Sequence, residues 1–387
     1  MIDRYLLNKR ILLKMPIKLI SNCDILIVLN SLVAEGCPQL ALNLSKYWST
    51  KGIRVEIICI DKYPLDLIEE FQEIDVKVNF YKNLKKGFIR YFYLIYFTFC
   101  ICKILKPYAI LCFPFGWHSF IGMGAKLSGV KNICTHVGNY PPIREKSIKK
   151  FKFLVHFGRL FTKKCICCSD YVLNATKKYF SLPNEDLCRV YNCCDFNKFS
   201  SKNLNFLRDK KNINLGMVAR LERHKDQSTL IKALPEILKK GIKVNLSIIG
   251  DGSKRKDLEE LSQILGVRKL VNFMGSRRDI SQILSKLDIF VFSVREDEGF
   301  GIAMAEAMIS GIPILASDVG ACLEILGNGE YGYFFKRGDP KDLAAKVLEM
   351  TINLKNVNQK VVKAKKYAKR NFSIKTMADS YLDLLML

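Results

Sequence analysis

Short, mainly apolar runs punctuate this chain, and they fall into two series. In the first half they occupy residues 24–29, 54–60, 76–81, 109–113, 132–135 and 165–169. Amphipathic stretches such as 38–49 and 119–128 lie between most of them. Continuous apolar runs of this length predict parallel strands buried on both faces. Their alternation with amphipathic stretches predicts doubly wound α/β structure. Near 197–212 the chain turns polar, rich in Lys, Asn and Ser. A second series then follows at 214–218, 243–249, 270–274, 289–292, 313–316 and 333–335, with helices at 227–239, 254–265 and 302–310. Gly311 and Pro313 stop the last of these, as a glycine after the helix end and a following proline should.

The length of 387 residues suits two domains, and 49% hydrophobic residues can fill two cores. The polar stretch places the boundary at 205/206. This gives an N-terminal domain over 1–205 and a second domain over 206–370. A C-terminal helix over 371–387 is expected to pack back toward the first domain. Two doubly wound halves leave a cleft between the carboxyl ends of their strands, where ligands bind.

Charge narrows the choice of partners. With 62 Lys and Arg against 37 Asp and Glu, the net charge of +25 calls for an anionic partner: nucleic acid, an acidic membrane surface or phosphorylated substrates. The 14 cysteines are scattered through apolar runs, as Cys59, Cys112, Cys134 and Cys167 are, which fits buried free thiols in a reducing compartment. Cys165-x-x-Cys168 with Cys193 and Cys194 imitates a zinc site, but the first pair lies in a strand run that points alternate thiols to opposite faces. No signal peptide is evident, and the most hydrophobic stretch, 91–102, is too short to span a bilayer. It reads as a buried or interfacial helix, and the protein as cytoplasmic without a transmembrane helix.

The strongest chemical signal is Glu298-Gly299-Phe300-Gly301-Ile302-Ala303-Met304-Ala305-Glu306. It follows a strand and opens a helix. Its glycines allow close backbone approach, and the free N–H groups of the helix start make an anion site suited to a diphosphate. Glu306 lies about 7.5 Å along the helix axis from its start. Two carboxylates flanking a phosphate site could each bind hydroxyls; alternatively, one is an exposed loop glutamate and the other an ordinary surface one. Arg220-Leu221-Glu222-Arg223-His224-Lys225-Asp226 adds a basic strand-to-helix loop at the same edge, which reads either as a diphosphate clamp or as a solvated loop. Gly250-Asp251-Gly252 and Asp318-Val319-Gly320 put two more tight turns at strand ends.

This constellation resembles glycosyltransferase family 4. The likeness runs from Gly216-Met217-Val218-Ala219-Arg220-Leu221 through Gly250-Asp251-Gly252 and Asn272-Phe273-Met274-Gly275 to Asp318-Val319-Gly320 and Glu324, with Glu298 and Glu306 as the E-x7-E pair. In the first half it thins to Glu35-Gly36, His136 and the stretches around Cys168-Ser169 and Tyr191-Asn192. Asn192-Cys193-Cys194-Asp195 and Ala34-Glu35-Gly36-Cys37-Pro38 depart from the family pattern. The resemblance implies the GT-B fold, two Rossmann-like domains facing a cleft, and a retaining, metal-independent hexosyl transfer from a nucleotide diphosphate sugar without a covalent enzyme intermediate. It implies that Arg220 and Lys225 neutralise the donor diphosphate and that Glu306 binds the ribose. Glu298 would contact the transferred sugar. The backbone near Gly301 and Gly320 would meet phosphate or sugar, and Gly36 would approach the phosphate from across the cleft. His136 would face the reacting sugar or the acceptor; a lone histidine can equally be structural. No metal and no cofactor beyond the donor is implied. Glu296-Asp297-Glu298 imitates an acidic metal motif, but the E-x7-E register accounts for Glu298.

Residues 146–164 carry seven Lys or Arg and no acid, with Phe151, Leu154, Phe157, Leu160 and Phe161 at helical spacing. Such a helix suits an anionic membrane surface, or it is half buried with a solvated cationic face. No nucleic-acid module accompanies it. The expected acceptor is therefore a growing surface glycan or lipid-linked saccharide at the inner membrane face. The rivals are an epimerase-like nucleotide-sugar enzyme of the same fold, a non-catalytic scaffold, and a nucleic-acid binder recruited by charge.

Overall fold

The computed structural model describes residues 23–34, 36–81, 87–142, 148–199 and 212–386. The expected 205/206 boundary, Glu35 and Lys146 lie outside the described residues. Seven parallel strands form the first sheet: β1 (Ile25–Leu29), β2 (Val55–Cys59), β3 (Lys77–Phe80), β4 (Ala109–Cys112), β5 (Asn132–Val137), β6 (Lys164–Cys167) and β7 (Leu187–Arg189), in the order β3-β2-β1-β4-β5-β6-β7. β1, β2 and β4 are buried at every residue, which is why they read as unbroken apolar runs. The order reverses at β1, which pairs with both β2 and β4 (Ile25↔Val55 and Ile25↔Ala109). That reversal opens a crevice at the carboxyl ends of these strands.

On one face of this sheet lie α1 (Cys37–Ser49) and the chain's final helix. On the other lie α3 (Ile89–Leu105), α4 (His118–Ser128) and α5 (Ile148–Arg159). The short α2 (Ile68–Gln72) precedes β3, and α6 (Asp170–Phe180) follows β6. Ser169 caps α6, its Oγ accepting the Val172 N–H at 3.1 Å.

The second sheet holds β8 (Asn212–Val218), β9 (Lys243–Ile249), β10 (Val271–Gly275), β11 (Ile289–Phe292), β12 (Ile314–Ser317) and β13 (Tyr333–Phe335), in the order β10-β9-β8-β11-β12-β13, all parallel. Its helices are α7 (Gln227–Lys239), α8 (Arg255–Ile264), α9 (Ile280–Lys286), α10 (Ile302–Ser310), α11 (Gly320–Ile325), α12 (Pro340–Ile352) and α13 (Leu354–Asn371). The order reverses again, at β8/β11. Two open α/β sheets therefore turn their switch points toward each other, the GT-B arrangement. The chain crosses back at Phe372, whose carbonyl accepts the Cys194 N–H at 3.0 Å. It then forms α14 (Ile374–Met386) against α1, β4 and β5. There the Trp48 indole N–H donates to the Ala378 carbonyl at 3.2 Å.

All fourteen cysteines are free, and most are buried. Cys165 and Cys167 enter one core while Ile166 between them enters another, as strand alternation requires. Among the described residues, no group of three or more His, Cys, Asp and Glu is placed to hold a metal ion. No helix there is long and apolar enough to cross a membrane.

Candidate active site in the interdomain cleft

The Glu298 loop is built inward. Glu298 is buried at 8% exposure, so it is no exposed loop glutamate. Its Oε1 accepts the Gly299 N–H at 3.1 Å and the Phe300 N–H at 3.3 Å, and its Oε2 pairs with the Lys225 ammonium. Burial alone would raise this carboxyl. Lys225 and the Phe300 N–H outweigh it, and the group is held below its ordinary value. The basic loop and the E-x7-E loop, 73 residues apart, thus meet through one ion pair. Lys225 also stands 5.4 Å from the centre of the Phe292 ring. Gly301 starts α10 with φ +81°, and a Cβ there would come within 2.8 Å of the same ring, so only glycine fits.

Arg220 is exposed at the mouth of its loop, and its carbonyl accepts the Gln227 side-chain amide at 2.9 Å. Glu306 lies on α10, partly covered. Burial pushes its carboxyl up to about 7, against the pull of Lys198. Gly36 precedes α1 with φ +57° and has open space where a side chain would stand. Glu296 pairs with Arg337, outside any acidic cluster.

His136 is completely buried on β5. Its Nδ1 shares a 2.7 Å hydrogen bond with the Tyr381 hydroxyl of α14. Burial drives its pKa down to about 3, so the ring is neutral. Its Nε2 has no partner among the described residues and faces Gly138. Gly138 in turn touches the Glu298 loop: a Cβ on Gly299 would fall 2.3 Å from the Gly138 carbonyl oxygen. His136 and Glu298 are therefore joined through a glycine-to-glycine contact between the domains. They do not face a common open space in this structure.

Around that contact the domains are clasped. The Ser169 hydroxyl donates to the Gly299 carbonyl at 2.7 Å. Both Glu324 oxygens accept N–H groups at the start of α6, from Asp170 at 2.8 Å and Tyr171 at 2.7 Å. A carboxylate on a helix N-terminus is favoured by charge and by otherwise unmet donors. The Tyr171 hydroxyl donates to the Glu296 carbonyl at 2.8 Å, and its ring covers Gly320, leaving no room for a Cβ there. The Cα face of Gly320 is thus occupied by the opposite domain. Tyr171 and Tyr381 are absent from the sequence reading. No spacing signals a tyrosine that acts 125 or 245 residues away.

Comparison with known proteins agrees with this geometry. Residues 199–370 match the family model "Glycosyl transferases group 1". An N-acetyl-alpha-D-glucosaminyl L-malate synthase of Bacillus anthracis is 24% identical over 202 residues, 51% of this chain and 52% of the relative. The N,N'-diacetylbacillosaminyl-diphospho-undecaprenol alpha-1,3-N-acetylgalactosaminyltransferase of Campylobacter jejuni is 33% identical over 152 residues, 38% of this chain and 36% of the relative. The chain thus spans about half the length of the first relative and little more than a third of the second. Among solved structures, Anabaena HepE in complex with UDP and glucose superposes with a TM-score of 0.82, covering 94% of this chain and 99% of HepE at 18% identity. That likeness is one of fold. Residues 199–370, the stretch that matches this family model, hold Arg220, Lys225, Glu298, Gly301, Glu306 and Gly320.

Proposed function

We propose that this chain transfers a hexosyl unit from a nucleotide diphosphate sugar to a hydroxyl of a glycan or lipid-linked saccharide, with retention at the anomeric carbon. The observation that carries the reading is the Lys225–Glu298 pair, seated where the first turn of α10 meets the cleft. Lys225 and Arg220 supply positive charge for a leaving diphosphate, the role a metal ion fills elsewhere. Glu306, on α10, offers its carboxylate to ribose hydroxyls. Gly36 leaves room for phosphate on the opposite wall. The neutral His136 presents Nε2 toward the reacting sugar once the Gly138–Gly299 contact opens.

Retention without a covalent intermediate fits the state of Glu298. One of its oxygens accepts two backbone N–H groups and the other holds Lys225, contacts that make the carboxylate a weaker nucleophile toward C1. The acceptor hydroxyl then enters on the face the diphosphate leaves. The diphosphate takes the C1–O electron pair, and the hydroxyl proton passes to a departing phosphate oxygen.

The acceptor reading rests on two supports. The Campylobacter relative is named for an undecaprenol-linked acceptor. The exposed lysines of α5 suit an anionic leaflet, where each cation near the surface is worth about 1 kcal/mol. We therefore place the protein at the inner membrane face, peripherally attached, with no resident cofactor and no nucleic-acid partner.

The test is turnover of a donor sugar nucleotide with acceptor present, in excess EDTA, with proton NMR of the product. Activity should persist, and the new linkage should keep the donor's anomeric configuration. Loss of activity on chelation with recovery in Mn²⁺, or an inverted linkage, would refute this mechanism. Turnover that ignores the acceptor would favour an epimerase-like enzyme.

A further inference from the structure

Most of the apolar stripe of α5 does not face outward, although Leu160 just past the helix is exposed. Phe151 packs against Phe115 and Phe180, Leu154 and Val155 are buried, and Phe157 lies against Phe120 of α4. The helix keeps its cations, Lys149, Lys150 and Lys152, exposed. The exposed apolar surface lies mainly on its neighbour two helices away. α3 buries Tyr91, Leu94, Thr98, Cys102 and Leu105 on one side. On the other, Phe92 and Tyr96 stand with Phe88 and Ile89 at the helix start, each between 62 and 72% exposed. Phe88, Phe92 and Tyr96 repeat every four residues and so form one stripe.

That stripe and the α5 cations are adjacent: Lys150 lies over the Tyr91 ring, Tyr91 meets the exposed Phe88 with ring centres 5.9 Å apart, and Phe88 meets Phe92 at 5.5 Å. Tyr91 stacks on Phe120 with ring centres 4.4 Å apart, Phe120 reaches Phe157 at 6.4 Å, and Phe157 stacks with the exposed Phe153 at 6.2 Å. Lys150 sits 5.7 Å from the Tyr91 ring centre, and Lys103 is 5.7 Å from that of Phe99. The chemistry of the surface is one-sided: between Val76 and Ser169 the sequence holds a single acidic residue, Glu145. A second copy of the chain would set these lysines against their own kind. An anionic bilayer meets both demands, taking the cations at its phosphates and the aromatic rings at the headgroup–acyl boundary.

We infer that α3 is the element that enters the membrane, through Phe88, Ile89, Phe92 and Tyr96, while α5 supplies the electrostatic contact beside it. This rests on the membrane-surface reading proposed above, and it names the penetrating residues.

The test uses the full chain and vesicles of phosphatidylcholine with and without phosphatidylglycerol. Wild-type protein should sediment with the anionic vesicles at low salt. Phe92→Glu with Tyr96→Glu should weaken that binding more than about tenfold. Both positions are exposed, so the fold and donor turnover in solution should be unchanged. A Phe92→Trp reporter should be quenched by lipids carrying a shallow acyl-chain quencher. If wild-type protein ignores anionic vesicles, the membrane reading itself fails. If Lys149, Lys150 and Lys152 changed to Glu release the protein but Phe92→Glu/Tyr96→Glu binds like wild type, the membrane reading stands and the α3 inference is overturned. A dimer that Phe92→Glu/Tyr96→Glu dissociates would also overturn it, by showing that a second copy covers the stripe.

Discussion

Replacing Lys225 with methionine lowers kcat/KM by about 10²–10³, the size of effect expected when one preorganised contact to the developing charge is lost. Methionine keeps much of the aliphatic volume, so packing against Phe292 survives while the ammonium is gone. The loss should fall mainly on kcat. A leaving diphosphate gains charge as the glycosidic bond breaks, so the cation matters more in the transition state than in the ground state. Initial-rate kinetics with the purified variant check this. Near-wild-type kcat/KM would remove Lys225 from the donor site.

Replacing Glu298 with alanine should destabilise the fold by about 3–5 kcal/mol, the usual cost of breaking a buried ion pair from one side. Three contacts go at once: the Lys225 ammonium loses its partner, and the Gly299 and Phe300 N–H groups lose their acceptor. Urea unfolding followed by circular dichroism measures it. The pH dependence gives an independent check. In the native protein the Glu298 carboxyl is held below its ordinary value. Its contribution to stability is therefore present above the ordinary carboxylate range and is lost as pH falls through the folded-state value. In Lys225→Met, burial acts without that cation and the carboxyl moves up, so the sign reverses and stability falls as pH rises above the ordinary range. The same slope in both proteins would contradict the pairing.

Most of the scaffold was legible because parallel strands covered on both faces must be apolar at every position. Ile289–Phe292, buried at every residue, matches its sequence limits for that reason; Lys243–Ile249 matches through alternation, burying Val244, Leu246, Ile248 and Ile249, and the helix Ile302–Ser310 through the glycines that bound it. β7 was not legible: Leu187-Cys188-Arg189 is a three-residue edge strand with no run to detect. The burial of the helix within 146–164 was not legible for a related cause. α5 shows an apolar stripe and a cationic one, a pattern that fits a buried helix as well as an interfacial one, and the structure turns Phe151, Leu154 and Phe157 inward. α3 is apolar on all sides, so its sequence has no period that tells the buried face from the exposed one.

At the site, the sequence brought Glu298, Glu306, Arg220 and Lys225 to the same strand ends. It could not show that Lys225 and Glu298 bind each other, nor that Glu324 reaches across to α6. It could not show that His136 is sealed beneath Gly138 and held by Tyr381. Those contacts join residues 73, 154 and 245 positions apart, and no local pattern encodes such distances.

The central claim is that a nucleotide diphosphate sugar binds where Lys225, Glu298 and Glu306 meet the start of α10. Thermal unfolding of the wild-type chain with UDP-, GDP- and ADP-sugars tests it directly. One of these classes should stabilise the protein, by about 2.7 kcal/mol at a hundred times its dissociation constant. The stabilisation should shrink in Lys225→Met and in Glu306→Ala. No response to any of the three, or an undiminished response in both variants, would contradict the account.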